Sequence, residues 1–297
     1  MSDRPTEHFA DRLLNAIDRC GAPACVGIDP VFDRLPAVLQ RHLPTHVQAI
    51  ERFSIDIVRA VAGLVPAVKP QSACFERYGA AGVLALERVC AEARDAGLLV
   101  ILDAKRGDIG VTSEHYAAAA FEACDADAVT VSAYLGPSVV QSYFDTMDRV
   151  AKRTGRGRGL FVLVRTSNPD SDHVQSLSLD GGETVAQRMA DLVQWLGQDR
   201  IGERGFSDVG AVVAATKPDD AADLRKRLGT ALLLVPGYGA QGGGVDDVRA
   251  LFRKGEGAIV TASRSVIYAF DPKMADWAPA VRDAASKLVE ELAPLSG

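Results

Sequence analysis

The chain has 297 residues, 47% of them hydrophobic and 24% charged, the balance of a globular protein with a sizeable core. Its net charge of −6 disfavours a nucleic-acid binder, which would carry a basic face, and leaves any anionic ligand to a local cluster of cations and backbone N–H groups. No apolar run reaches the roughly 18 residues that a membrane span needs.

The opening stretch, MSDRPTEHFADRLLNAIDRC, carries acids and no apolar core segment, so no signal peptide is expected there. Phe9, Leu13, Leu14 and Ile17 fall at helical spacing and predict an amphipathic N-terminal helix. ACVGID (24–29) reads as the first strand. A long excursion follows, with a helical stretch at about 46–63, and AVK (67–69) ends the second strand. Residues 80–96 read as a helix closed by Gly97, and LLVILDAK (98–105) as the third strand. SEHYAAAAFEAC (113–124) reads as a helix with Ser113 as its cap. DAVTVSAY (127–134) is the fourth strand, followed by a helix at about 138–153. The basic, Gly-rich KRTGRGRG (152–159) reads as a solvated turn. GLFVLVRT (159–166), VGAVVAAT (209–216), ALLLVPG (231–237) and GAIVTAS (257–263) complete the strands. Helices at about 183–199, 219–228, 245–253 and 277–293 alternate with them.

Eight βα units with nearly continuous apolar strands predict an α/β fold of the (β/α)8 TIM-barrel type. It would be a single domain over 1–297, with an N-terminal helix and a long β1–β2 excursion, since no linker or composition shift divides the chain. A doubly wound open sheet is the alternative, but no G-x-G-x-x-G follows the first strand. The cysteines (Cys20, Cys25, Cys74, Cys90, Cys124) are odd in number and form no C-x-x-C pair. Buried thiols in a reducing, cytoplasmic compartment are expected, and a zinc site is not.

A barrel places function where strands end and βα loops begin. The polar residues fall there: Asp29 ending strand one, Lys69 ending strand two, Asp103 and Lys105 ending strand three with Asp108 just beyond. Strand alternation puts Asp103 and Lys105 on one side. Thr166, Ser167 and Asn168 end strand five, and Ser263 and Arg264 follow strand eight. Singly, each has a plain reading as a cap, a turn residue or a surface ion. Together, two acids and two lysines converge on one barrel mouth, where unpaired ions are costly to desolvate. In VPGYGAQGGG (235–244), glycines let the backbone turn its N–H groups toward an anion, with Gln241 as an amide donor and Arg264 as a guanidinium fork.

These segments resemble a known family. DAKRGD is similar to the D-x-K-x-x-D signature of orotidine 5′-phosphate decarboxylases, and GIDP, VKPQSACFERYG, LDAKRGDIGVTS, LVRTSNP, PGYGAQGG and TASRSV follow the family's order. The long gap between Asp29 and Lys69 resembles the longer-chain branch. The resemblance implies decarboxylation of orotidine 5′-monophosphate to UMP, the last step of pyrimidine synthesis, without metal or organic cofactor. It also implies a homodimer with active sites at the subunit interface. Asp103 would lie beside the substrate carboxylate, and Lys105 would protonate C6. Asp108 and Thr112 would reach into the partner's site. Asp29 and Lys69 would bind ribose hydroxyls, and Ser167 the pyrimidine edge. Gln241 and Arg264, with Gly239 in the Gly-rich backbone, would hold the phosphate, and Tyr238 would line that pocket. Cys74 stands where a bulkier residue is expected. The nearest alternative is a Mg2+-dependent sugar-phosphate lyase of the keto-gulonate phosphate decarboxylase or hexulose phosphate synthase type. Its second strand offers an acidic metal ligand where this chain has Lys69, a poor partner for Mg2+. A catalytically silent, nucleotide-binding barrel is the alternative from another class, and the intact charged set argues against it.

Overall fold

The computed structural model describes residues 6–239 and 244–296. Eight parallel strands close into a barrel in sequential order: β1 (Ala24–Ile28), β2 (Ala67–Pro70), β3 (Leu99–Arg106), β4 (Ala128–Val131), β5 (Gly159–Arg165), β6 (Ser207–Val213), β7 (Ala231–Val235) and β8 (Ala258–Ala262). Every strand except the end of β3 and Leu163 of β5 is buried, because helices cover the outside and side chains fill the inside.

The N-terminal helix, Phe9–Cys20, forms as its periodicity predicts. Its apolar face (Phe9, Leu13, Leu14 and Ile17) joins the barrel-interior side chains Cys25, Ala67, Leu99, Ala128 and Phe161 in one core cluster. Those residues lie early in their strands, so the helix closes the floor opposite the functional rim. Phe9 meets Phe161 edge to face at 6.1 Å. Gly159 makes that contact possible, since a Cβ there would run into the Phe9 ring.

The β1–β2 excursion contains a short helix, Ala37–His42, and a long one, His46–Val61. Phe53 on the long helix packs against Tyr268 (5.8 Å) and Trp277 (5.0 Å). Tyr268 in turn accepts from Val31 N (2.8 Å) and donates to the carbonyl of Asp29 (2.9 Å). Thus the excursion, to which no role could be given from sequence, fixes the backbone on which Asp29 stands.

Two local expectations are corrected. Ser113 does not cap its helix, which starts earlier and spans Gly110–Ala118; Ser113 is buried inside it, and its hydroxyl donates to the carbonyl of Asp108 at 2.7 Å. The segment KRTGRGRG is only partly a solvated turn. Lys152 and Arg153 are exposed, but Arg158 is wholly buried and pairs with Asp125 and Asp127. Asp127 also accepts from Arg12 (2.7 Å) and from the backbone of Val100 (2.9 Å), so it ties the floor helix, β3 and β5 together. Asp127→Ala should therefore cost about 2–3 kcal/mol in urea unfolding, since it leaves the buried Arg158 with Asp125 alone, removes the Arg12 ion pair and takes the acceptor from the Val100 N–H. A loss below about 1 kcal/mol would show that this network carries no weight.

All five cysteines are free; Cys25, Cys90 and Cys124 are buried, and Cys20 and Cys74 are partly so. No helix among the described residues is long and apolar enough to cross a membrane.

Candidate active site

Each polar residue singled out at a strand end sits at the C-terminal rim of the barrel or just beyond it. Asp103 lies at the centre. Its Oδ2 accepts from Lys69 Nζ at 2.5 Å and from Gln71 Nε2 at 3.2 Å. Its Oδ1 accepts from Lys105 Nζ at 2.6 Å and from Thr130 Oγ1 at 2.9 Å. Four donors thus fill the four lone-pair positions of one carboxylate. Burial opposes charge on Asp103, yet the Lys69 and Lys105 ammoniums outweigh it and hold its carboxyl well below the usual range. Burial would likewise lower Lys69, but Asp103 and Asp29 reverse the sign and raise it above its ordinary value.

The sign of each shift fixes where the pair is charged. Asp103 contributes stability fully above the ordinary carboxylate value of about 3.9 and loses it only as pH falls through its depressed folded value. Lys69 contributes fully below about 10.4 and loses its share only as pH rises through its elevated folded value. Cys25, beneath them, is pushed up to about 12 chiefly by burial, so it remains a thiol and no nucleophile at neutral pH.

Lys69 and Asp103 are nearly sealed, whereas the Lys105 side chain is 46% exposed and so reaches the open side of the site. All three line a cavity of about 900 Å3. Its walls include apolar Leu163, Val212, Leu234 and Pro236, with Thr166, Ser167 and Asn168 on one side. That combination of apolar walls and a few converging polar groups suits a small organic ligand. The β5 loop is anchored by Arg165, which pairs with Asp172 (2.5 Å) and Asp220 (2.6 Å), and Lys217 joins Asp172 at 2.7 Å. At the β1–β8 side of the rim, Asp29 Oδ1 and Ser263 Oγ are buried without a hydrogen-bond partner among the described residues. A ligand with hydroxyl groups would satisfy them.

Other expected residues are placed differently. Arg264 is exposed just past β8 and makes no ion pair among the described residues. Asp108 accepts only from the backbone of Ile109 (2.9 Å) through its carboxylate and does not reach Lys105 of its own chain, while Thr112 is exposed. Tyr238 does not turn its polar end to the cavity: its hydroxyl donates to Glu291 on the C-terminal helix at 3.0 Å, and its ring is buried in the core. Gly239 lies in the left-handed region at φ 70, and Gln241 falls outside the described residues. Lys69 occupies the place beside Asp103 where a divalent ion would need an oxygen donor. Among the described residues, no group of three or more His, Cys, Asp or Glu is placed to hold a metal ion.

Sequence reasoning missed Gln71, Thr130, Gln175 and Lys217, all of which touch Asp103 or line the cavity. For Thr130 a signal existed, a lone hydroxyl within the apolar run AVTV.

A closed parallel barrel with a linked Lys69–Asp103–Lys105 network at its C-terminal rim, opening into a cavity, defines the class, a (β/α)8-barrel enzyme. The sequence model of the Orotidine 5′-phosphate decarboxylase / HUMPS family matches residues 25–275. An orotidine 5′-phosphate decarboxylase from Rhodopirellula baltica is 41% identical over 96% of this chain and 98% of its own length. One from Salinispora arenicola is 40% identical over 96% and 97%. The solved OMP decarboxylase of Leishmania donovani superimposes with a TM-score of 0.75 at 30% identity, covering 97% of this chain and 98% of that one. The chain belongs to the orotidine 5′-phosphate decarboxylase / HUMPS family.

Proposed function

We infer that this protein decarboxylates orotidine 5′-monophosphate to UMP as a carboxy-lyase of pyrimidine biosynthesis, working as one cytoplasmic barrel domain. The observation that carries this reading is the Lys69–Asp103–Lys105 network opening into the cavity of a chain from this family. Loss of CO2 leaves the bonding pair on C6 in an orbital with little delocalisation. The Lys105 ammonium, held 2.6 Å from Asp103, stabilises that charge as it forms. It then gives its proton to C6 and regains one from solvent. Asp103 carries no proton in this scheme. It keeps Lys105 in place and lies beside the departing carboxylate.

The rest of the substrate is gripped at a distance. Asp29 and Lys69 meet the ribose hydroxyls, which would satisfy the orphaned Asp29 oxygen. Ser167 meets the pyrimidine edge. Arg264, with Gln241 and the Gly239 backbone, holds the phosphate, whose binding energy is converted into positioning of the base. Arg264→Ala should lower kcat/KM roughly fivefold to 150-fold, about 1–3 kcal/mol of transition-state stabilisation for one lost charge-assisted hydrogen bond. Unaltered steady-state kinetics would remove Arg264 from the phosphate site.

The functional unit in this reading is a homodimer in which Asp108 and Thr112 complete the partner's site. Support comes from the surface beside them, where Ile109 is 58%, Val111 64%, Tyr134 84% and Leu135 54% exposed, an apolar patch that a second copy would cover. The decisive experiment is the fall in ultraviolet absorbance on adding orotidine 5′-monophosphate to purified protein, with and without EDTA. Turnover that survives EDTA is expected. A protein inert on this substrate, or dependent on Mg2+, overturns the reading.

A further inference from the structure

Opposite Asp103 and Lys105 of β3 lies an uncharged residue that touches both. The register of β3 against β4 slips there: Leu102 pairs with Val129 and Arg106 with Val131, so a bulge on β3 faces the single residue Thr130. Within that bulge Lys105 takes a φ of 47, a conformation uncommon for a non-glycine residue. A bulge leaves ladder N–H groups without strand partners. Here Thr130 Oγ1 accepts both of them, from Ala104 N at 3.1 Å and from Lys105 N at 3.0 Å. The same oxygen donates its proton to Asp103 Oδ1 at 2.9 Å. A hydroxyl has one proton and two lone pairs, so this one is used in full. Thr130 is 1% exposed.

We propose that Thr130 is a positioning residue for the decarboxylation: its hydroxyl fixes the Asp103 carboxylate and the bulged Ala104–Lys105 backbone, and so sets where the Lys105 ammonium stands over the cavity. This role rests on the decarboxylase reading and deepens it. Valine has the shape of threonine but lacks the oxygen, so Thr130→Val leaves two backbone N–H groups and one carboxylate position without their partner and opens no cavity. Serine retains the hydroxyl and loses only a methyl. The ligand grips at Asp29, Ser167 and Arg264 are untouched by either change.

The expected pattern is a split between rate and binding. Thr130→Val should lower kcat roughly tenfold to a hundredfold, the scale of a small misplacement of a catalytic group. KM, and the Kd for UMP as an unreactive probe, should stay within about threefold. Thr130→Ser should restore kcat to within about threefold of the unaltered enzyme. Should the valine variant fail to fold, Thr130→Ala with the same serine control gives the comparison. A valine or alanine variant with unchanged kcat overturns the proposal, as does a serine variant as slow as valine. Inactivity of the unaltered chain on orotidine 5′-monophosphate would sink the decarboxylase reading itself. An active chain indifferent to Thr130 would sink only this inference.

Discussion

Lys105→Ala should reduce kcat/KM by about five orders of magnitude while the barrel stays folded. Two separate losses multiply. General-acid delivery of a proton is worth roughly 10²–10⁴, and one preorganised charge facing a developing anion is worth about 10²–10³. Neither has a substitute within reach. Lys69 is bound to the other carboxylate oxygen at 2.5 Å and is nearly sealed, so its ammonium cannot swing out to serve C6. The fold, by contrast, loses little. The Lys105 side chain is half-exposed, and Asp103 keeps its bonds from Lys69, Gln71 and Thr130. Removal of Lys105 also relieves a left-handed backbone only if glycine is used, so Lys105→Gly is the poorer test. The absorbance assay together with circular dichroism on heating reads both quantities. Residual activity within a hundredfold of the starting enzyme, in a preparation free of it, would take the proton donor elsewhere.

The barrel was readable because its signals are local and repeated. Each buried strand is an apolar run, each helix has its own period, and eight alternations leave few other topologies. The rim was readable for a related reason: Asp103 and Lys105 interrupt an apolar strand, and a charge in that place needs a partner. What sequence could not supply was non-local or depended on backbone detail. The β3 bulge arises from the register with β4, so the meeting of Ala104, Lys105 and Thr130 is written in neither strand alone. Asp103 and Lys105 do share a side, yet through a turned backbone at Lys105 and not through simple strand alternation. Arg158 looked solvated because its run is basic and Gly-rich. Its burial depends on Asp125 and Asp127, which arrive from the turn before β4. Tyr238 sits in a Gly-rich run that suggested the phosphate pocket, but Glu291, far along the chain, claims its hydroxyl.

Mixing inactive Lys105→Ala subunits with inactive Asp108→Ala subunits should bring activity back. Within one chain, Asp108 is turned to the backbone of Ile109, and its carbonyl is held by Ser113. Among the described residues, Lys105 therefore has one carboxylate neighbour from its own chain, Asp103. A second acid supplied across a two-fold axis would leave the ammonium between two anions, as the proposed shared site predicts. In a mixed dimer one site combines the unaltered Lys105 of one subunit with the unaltered Asp108 of the other. The opposite site lacks both. Equal mixing with free exchange makes half of the dimers mixed, so about a quarter of all sites should work, against almost none in either parent. Exchange can be followed by a mass tag on one subunit, which separates failure to mix from failure to complement. If tagged dimers form and activity stays at the parental level, Asp108 acts within its own chain or not at all, and the exposed Ile109–Leu135 surface needs another explanation.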